Sequence, residues 1–397
     1  MINANTPRRR CLACAVGALA AVTAIAIPMA GTAAARCRPS VTHLPDLGFG
    51  SAADAVRGNT VVGWVRINDS GGRVPAIWRD GRLSVIGALN HGFAGDINAR
   101  GEVVGTANHA KKGFVYFHGA VHLLRPAEAS FVYARRINDR GQIAGTAFGG
   151  RYAARWDSYV SRPTALLPAQ GDAFSSAEGI NDSATVAGQS ASGDGTPHPA
   201  TWSADGAVHR LSSGYGPGQP GDLFAINDPG ESVGESFRTD AHGNIFADEA
   251  TAWTPAGRAK LIPLLAGTNQ STALNVSDRG WVVGGAAKAN YTTLKLGPIH
   301  ALAWFGRGPA RTLPVPGLSY DESESLVHGV DDQGTMVGSS GPAGGIQVAT
   351  VWTFAQRQAF VPHEPPTNVR SPARPRTRRR PQPTRSRLFF AEHRQLP

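Results

Sequence analysis

The sequence predicts an all-β fold, a seven-bladed β-propeller, with an open β-repeat solenoid as the alternative. Three observations carry this expectation. A nine-residue pattern recurs seven times, an aromatic residue follows each copy, and helical periodicity is absent from 40–363.

The pattern reads aliphatic, Asn or Asp, Asp, any residue, Gly, any residue, two small or aliphatic residues, Gly. It occupies 97–105, 137–145, 180–188, 226–234, 276–284 and 330–338, and a degenerate copy lies at 55–63. Its recurring positions are Asn98, Gly101 and Gly105; Asn138, Gly141 and Gly145; Asn181 and Gly188; Asn227, Gly230 and Gly234; Asp278, Gly280 and Gly284; and Asp332, Gly334 and Gly338. Successive closing glycines are 40 to 54 residues apart. Behind them come Trp78, Phe117, Trp156, Trp202, Trp253, Trp304 and Trp352, and then a short segment ending in leucine or a relative.

Each element has a physical reading. Asn-Asp-x-Gly between two β-type runs is hairpin chemistry: the Asn or Asp bonds its own backbone and the Gly takes the left-handed position. The first copy offers Asn59 in the Gly slot and the fourth offers Ala184, at about 1–2 kcal/mol if the turn is kept. A calcium loop would need a distal bidentate acid that the pattern lacks. The closing Gly reads as a close backbone approach, and the aromatic as a wedge between neighbouring sheets. Four short strands with their turns fill about 40–50 residues, the span of one blade. One blade cannot bury both faces alone, and a ring limits exposed edges. Closure is expected through 41–47, paired with a strand of the last repeat; a further Leu-type segment lies at about 358–362.

The net charge of +10 sits at the two ends. Residues 1–35 carry +3, residues 364–397 carry nine Arg against two Glu, and 36–363 is formally neutral. A nucleic-acid role is therefore not expected of the folded part. Arg8, Arg9 and Arg10 precede an apolar stretch, and Ala33, Ala34 and Ala35 form a small-residue site, so 1–35 is expected to be a signal peptide. Export places the mature chain outside the cell, in the periplasm or at the surface, without stable membrane insertion after cleavage. Cys37 is then the one cysteine left, which excludes an intramolecular disulfide or a cysteine metal cluster. The tail 364–397, rich in Pro and Arg, is expected to be disordered, and the chain monomeric.

These repeats resemble the extracellular HAF-type repeat family of bacteria, named for a His-Ala-Phe triplet before the tryptophan. The matching stretches are His198, Pro199, Ala200, Thr201, Trp202 and His300, Ala301, Leu302, Ala303, Trp304, with the Leu44 to Gly48 run similar to the family's Asp-Leu-Gly strand end. The triplet is poorly kept, so the likeness rests on the overall period across about 41–362. It implies an exported repeat protein and supplies no catalytic residues.

No G-x-S-x-G elbow, P-loop or H-E-x-x-H occurs. His118 and His122 lie in a strand pattern, where four residues span about 13 Å, too far to clasp one metal. No metal or cofactor is expected. With every regular residue given a structural task, the expectation is a binding propeller that catalyses nothing, with a glycan or a protein as partner. Two rivals remain: an enzyme, lyase or glycosidase-like, with its site in the central channel, and a structural envelope component. A close carboxylate pair or His–acid pair at the channel mouth is the feature that would favour an enzyme. The hairpins after Gly234 and Gly284 are the longest, 19 and 20 residues from glycine to aromatic. Concentrated insertions mark a functional face, so ligand-binding residues are expected at Arg238, Asp240, His242, Asn244 and Tyr291.

Overall fold

The computed structural model describes residues 39–354 except 70, 71, 88, 110 and 128–130. Residues 1–35, expected to form a signal peptide, Cys37, the segment 358–362 and the basic tail lie outside the described residues.

The described chain is all-β, built of four-stranded antiparallel sheets in a propeller-like repeat. Repeat one supplies Ser51–Arg57, Thr60–Arg66, Arg73–Arg79 and Arg82–Val85, hydrogen-bonded in that order. Repeat two supplies Phe93–Ile97, Val103–Ala107, Lys112–Phe117 and Ala120–Leu123. Repeat three gives Tyr133–Ile137, Ile143–Ala147, Tyr152–Trp156 and Thr164–Leu166; repeat four gives Phe174–Ile180, Val186–Ala191, Pro197–Trp202 and Val208–Arg210. Repeat five (Gly221–Ile226, Ser232–Thr239, Ile245–Trp253, Ala259–Leu261) and repeat six (Gln270–Val276, Val282–Ala287, His300–Trp304, Arg311–Thr312) join through one parallel bridge, Asp248 to Gln270. A small hairpin, Ala289–Asn290 with Lys295–Leu296, caps repeat six. Ser323–Val330, Thr335–Pro342 and Val348–Thr353 come from repeat seven, and the fourth strand of that sheet is Ser40–His43, from the other end of the chain. Its register is Ser40 opposite Thr353 and His43 opposite Thr350, so of the expected 41–47 only 41–43 pair, and 44–47 lie beyond the strand.

The turn chemistry holds in repeat after repeat. Asn98 Oδ1 accepts the N–H of Arg100 at 3.1 Å and of Glu102 at 3.0 Å, while Gly101 sits at φ +75°. Ala184 keeps the same conformation at φ +62°. The first copy corrects the reading of Asn59. There the left-handed residue is Gly58, at φ +57°, because Arg57 pairs directly with Thr60 and leaves a two-residue turn. Glycine at the first central position is what such a turn demands.

The closing glycines face a register shift in the first strand of every sheet, as between Ala134 and Arg136 opposite Gly145. A side chain on Gly145 would meet the Tyr133 carbonyl oxygen at 1.9 Å, so no other residue fits there. The tryptophans fill the spaces between sheets, and five of them also bond a neighbour. Trp78 donates to Pro45 O, Trp156 to Arg125 O, Trp202 to Leu167 O, Trp253 to Ser212 O and Trp352 to Pro314 O, at 2.7–2.9 Å. Each acceptor lies in the connection leading in from the preceding sheet. Trp304 departs from this, donating to Gly308 O in its own loop. The apolar cores are correspondingly inter-sheet: one cluster joins Val62 and Ile77 to Val103 and Phe114, another joins Trp78 and Val61 to Leu44, Val337 and Val351. Among the described residues no helix is long and apolar enough to cross a membrane.

Candidate functional site

The first strands of neighbouring repeats pack side by side, and that of repeat one also packs against that of repeat seven. At their turn end they enclose a cavity of about 150 Å³ whose rim carries Arg57, Asp139, Asp182, Asp228, Asp278 and Asp332. Most of that rim is structural. Each carboxylate accepts the backbone N–H of the matching residue one repeat earlier: Ala99 to Asp139, Asp139 to Asp182, Asp182 to Asp228, Asp228 to Asp278 and Asp278 to Asp332, at 2.7–2.8 Å. A second ladder runs beneath it. The side-chain amides of Asn98, Asn138, Asn181 and Asn227 donate to the carbonyls of Asn138, Asn181, Asn227 and Ser277 at 2.9–3.1 Å. Arg57 closes the acidic rim by pairing with Asp139. Burial, together with Asp228 and Asp332, pushes the Asp278 carboxyl above its ordinary pKa, against the pull of the backbone N–H it accepts. The repeat acids are therefore stitches between repeats, a role beyond the turn-forming one read from the sequence.

Deeper in the same strands, the residue at each register shift forms a column of its own: Asp54, Gly95, Arg135, Glu178, Phe224, Leu274 and His328. Four of the seven are ionisable, and they meet across repeats. His328 Nδ1 lies 3.0 Å from Asp54 Oδ1, with side chains 21% and 18% exposed. The angle is off line, so this is a close polar contact and not a formed hydrogen bond. Arg135 Nε donates to Glu178 Oε2 at 2.6 Å and its Nη1 donates to the Tyr133 hydroxyl at 2.9 Å. Burial works against the Arg135 charge, but Glu178, Tyr133 and Asp54 outweigh it and hold the guanidinium firmly protonated. Burial raises the Tyr133 pKa despite Arg135, so the phenol keeps its proton. The two sets are linked through Asp54, whose charge acts on both Arg135 and Tyr133. None of them was among the expected site residues, although the column stands at a fixed place, three residues before each turn Asn or its equivalent.

The residues expected to bind ligand divide into two groups. Asp240 is spent on its own hairpin, accepting the N–H groups of His242 at 2.8 Å and Asn244 at 2.9 Å and the Asn244 amide at 3.0 Å. Its pKa lies below the ordinary value because of those bonds. His242 is exposed, and the Arg238 guanidinium lies 5.3 Å from the centre of the Phe246 ring. Tyr291 sits apart, beside the repeat-five acids. Burial and then the charges of Asp248, Glu249 and Glu235 raise its pKa. Tyr215 donates to Glu249 at 2.7 Å in the same region. Among the described residues no group of three His, Cys, Asp or Glu is arranged to hold a metal ion.

No family model matches the chain. No curated protein matches it either. Solved structures do. YCF48 bound to D1 peptide is 13% identical, with 81% of this chain and 97% of that one covered and a TM-score of 0.50. Virginiamycin B lyase from Staphylococcus aureus is 12% identical (80% and 100% covered, TM-score 0.47), and XC5397 from Xanthomonas campestris, a gluconolactonase, is 12% identical (81% and 92%, TM-score 0.41). At these identities the likeness is one of fold, a repeated all-β, propeller-like architecture. It corrects the expectation that this chain catalyses nothing. The similar structures include a lyase, a gluconolactonase and a puromycin hydrolase.

Proposed function

We propose that this chain is a lyase on a closed seven-bladed propeller, with His328 as its general base in the central channel. One observation carries the reading: Asp54 Oδ1 lies 3.0 Å from His328 Nδ1, on one side of the ring, which leaves the Nε2 side to face elsewhere. A small turn of the ring would make this contact the hydrogen bond by which an acid orients an imidazole and leaves its other nitrogen for substrate. In an elimination, Nε2 takes a proton from the carbon beside a carboxylate. The C–H electron pair becomes the new double bond, the bond to the β-oxygen breaks, and the Tyr133 hydroxyl protonates the leaving oxygen. Arg135 supplies positive charge where the carboxylate gains electron density. Hydrolysis by two free carboxyl groups fits less well, because Asp54 faces His328 and Glu178 is bound by Arg135.

Closure is supported by the Ser40–His43 strand in the last sheet and by the core shared between repeats one and seven. The recurring residues support kinship with the HAF-type repeat family, and the basic and apolar leader supports export. Mass spectrometry of secreted chain beginning at Arg36 would test the latter. Arg238, Asp240, His242, Asn244 and Tyr291 we take as a polar rim that meets the substrate outside the channel.

The test is a panel of neutral and uronate-containing polysaccharides, read for unsaturated product and, separately, for new reducing ends. Elimination predicts both, and hydrolysis only the second. His328→Gln and Asp54→Asn should each lower the rate by about 10²–10⁴-fold while circular dichroism stays unchanged. Activity that survives His328→Gln would overturn the assignment.

A further inference from the structure

The hairpins joining second to third strands in repeats one to three carry five basic side chains, Arg66, Arg73, Lys111, Lys112 and Arg151, against one acid, Asp69. All five are exposed. The three arginines share a further property. Arg66 and Arg73 lie over Trp64, at 5.9 and 5.2 Å from the ring centre, and Arg151 lies over Tyr152 at 5.3 Å and Phe174 at 6.0 Å. None of the three forms an ion pair with any described residue. Contact joins the first two of these hairpins, and the third continues into repeat four. Gly92 N donates to Arg73 O, His91 stacks on His109 with ring centres 4.2 Å apart, and Ser175 N donates to Arg151 O. At the opposite end of the sheets Arg57, Arg100 and Arg155 are paired with Asp139, Glu102 and Asp157, and the exposed Arg79, Arg82 and Arg140 form no ion pair with a described residue but lie over no described aromatic ring.

We infer that this sector is a binding surface for a polyanionic polysaccharide whose carboxylates recur along the chain, such as a polyuronate. A guanidinium laid on an aromatic face has already lost much of its rotamer freedom, so its fork meets a carboxylate at low entropic cost. Planar carboxylates match that fork bidentately. Single-stranded nucleic acid fits worse, because its bases need open aromatic faces to stack on. Here the arginines cover those faces. The inference stands on binding alone and does not depend on which reaction the channel performs.

The test uses the full chain and labels arginines with phenylglyoxal, read residue by residue by mass spectrometry. Site-resolved labelling separates these positions from the arginines of the tail. Polygalacturonate should slow labelling of Arg66, Arg73 and Arg151 by roughly fivefold or more and leave Arg100 and Arg155 unchanged, since a bidentate carboxylate occupies the reacting nitrogens. Neutral dextran should protect none of them. Replacing Arg73 and Arg151 with lysine should weaken retention in a polygalacturonate affinity gel, because charge is kept and the fork is lost. Three results would overturn the inference: no protection by polygalacturonate, equal protection at both ends, or protection by single-stranded DNA where polygalacturonate gives none.

Discussion

Removing the Asn138 side chain tests the account of how the sheets are joined. That side chain is 4% exposed and does two jobs. Within its own turn Oδ1 accepts Arg140 N at 3.1 Å and Gln142 N at 2.8 Å; across to repeat four, Nδ2 donates to Asn181 O at 2.9 Å. Asn138→Ala removes both and leaves the Asn181 carbonyl buried without that donor. A lost partner of this kind costs about 1–3 kcal/mol, and the turn bonds add about 0.5–1.5, so roughly 2–4 kcal/mol is expected in all. Asn138→Ser keeps a turn acceptor and removes only the bridge, as repeat six does naturally with Ser277, whose hydroxyl accepts Arg279 N at 3.3 Å. Its expected cost is about 1–2 kcal/mol. For a folded region of roughly 315 residues, at about 2.1 cal/mol/K per residue, each kcal/mol shifts Tm by only about 1.5 °C. Urea titration is therefore the better assay, read as the midpoint change at constant m. Should Asn138→Ser match the wild type while Asn138→Ala is costly, the turn alone would explain the recurring Asn and the inter-sheet ladder would contribute nothing.

Three further outcomes follow from the same structure. Ala184→Gly should stabilise the chain by about 0.5–1 kcal/mol, since relief of the left-handed alanine exceeds the added chain entropy; a loss of stability would contradict the strain. Trp202→Phe should cost more than Trp304→Phe in urea titrations, by about 1 kcal/mol, because only Trp202 bonds the connection from the neighbouring sheet. His198 and His300 are buried, and burial sets each imidazole pKa below 6.5. The unfolded chain then binds protons that the folded chain refuses, so their stabilisation is complete above 6.5 and is lost as pH falls through the folded values. Asp96, Asp278 and Asp331, raised by burial, act in the opposite sense: their contribution is present below 3.8 and lost as pH rises through their folded values. His300→Gln should flatten the acid side of the stability profile below 6.5, and an unchanged slope would contradict the assignment.

The repeat itself was legible because its residues act locally. Asn98 and Gly101 announce a turn, and Gly145 opposite a bulge announces a close approach, whatever the rest of the chain does. What the residues do between repeats was not legible. Asp139 reads as a turn former, and nothing local says that its carboxylate serves Ala99 in the repeat before. Aligning the first copy to the others put Asn59 in the glycine slot, although a one-residue shorter turn moves that conformation to Gly58. The candidate site was hidden for the same reason on a larger scale. Asp54 and His328 come from the first and last repeats and meet only because the sheet of repeat seven borrows Ser40–His43 and packs on repeat one. The hairpin residues were visible as insertions, but not the fact that Asp240 is consumed by its own turn.

That meeting of the two ends is what the whole account depends on, and a disulfide tests it directly. Ser40 and Thr353 face one another, their hydroxyl oxygens 2.5 Å apart across 313 residues of sequence. In a background with Cys11, Cys14 and Cys37 all changed to Ser, Ser40→Cys with Thr353→Cys should form an intramolecular bond in air without disturbing the fold. Closing so long a loop stabilises by up to about 5 kcal/mol in the chain-entropy estimate, and reductant should reverse the gain. Mass spectrometry of the unreduced monomer is predicted to show the linked peptides. Free thiols, or bonds formed only between chains, would mean that the first and last repeats do not adjoin, and the Asp54–His328 site would go with them.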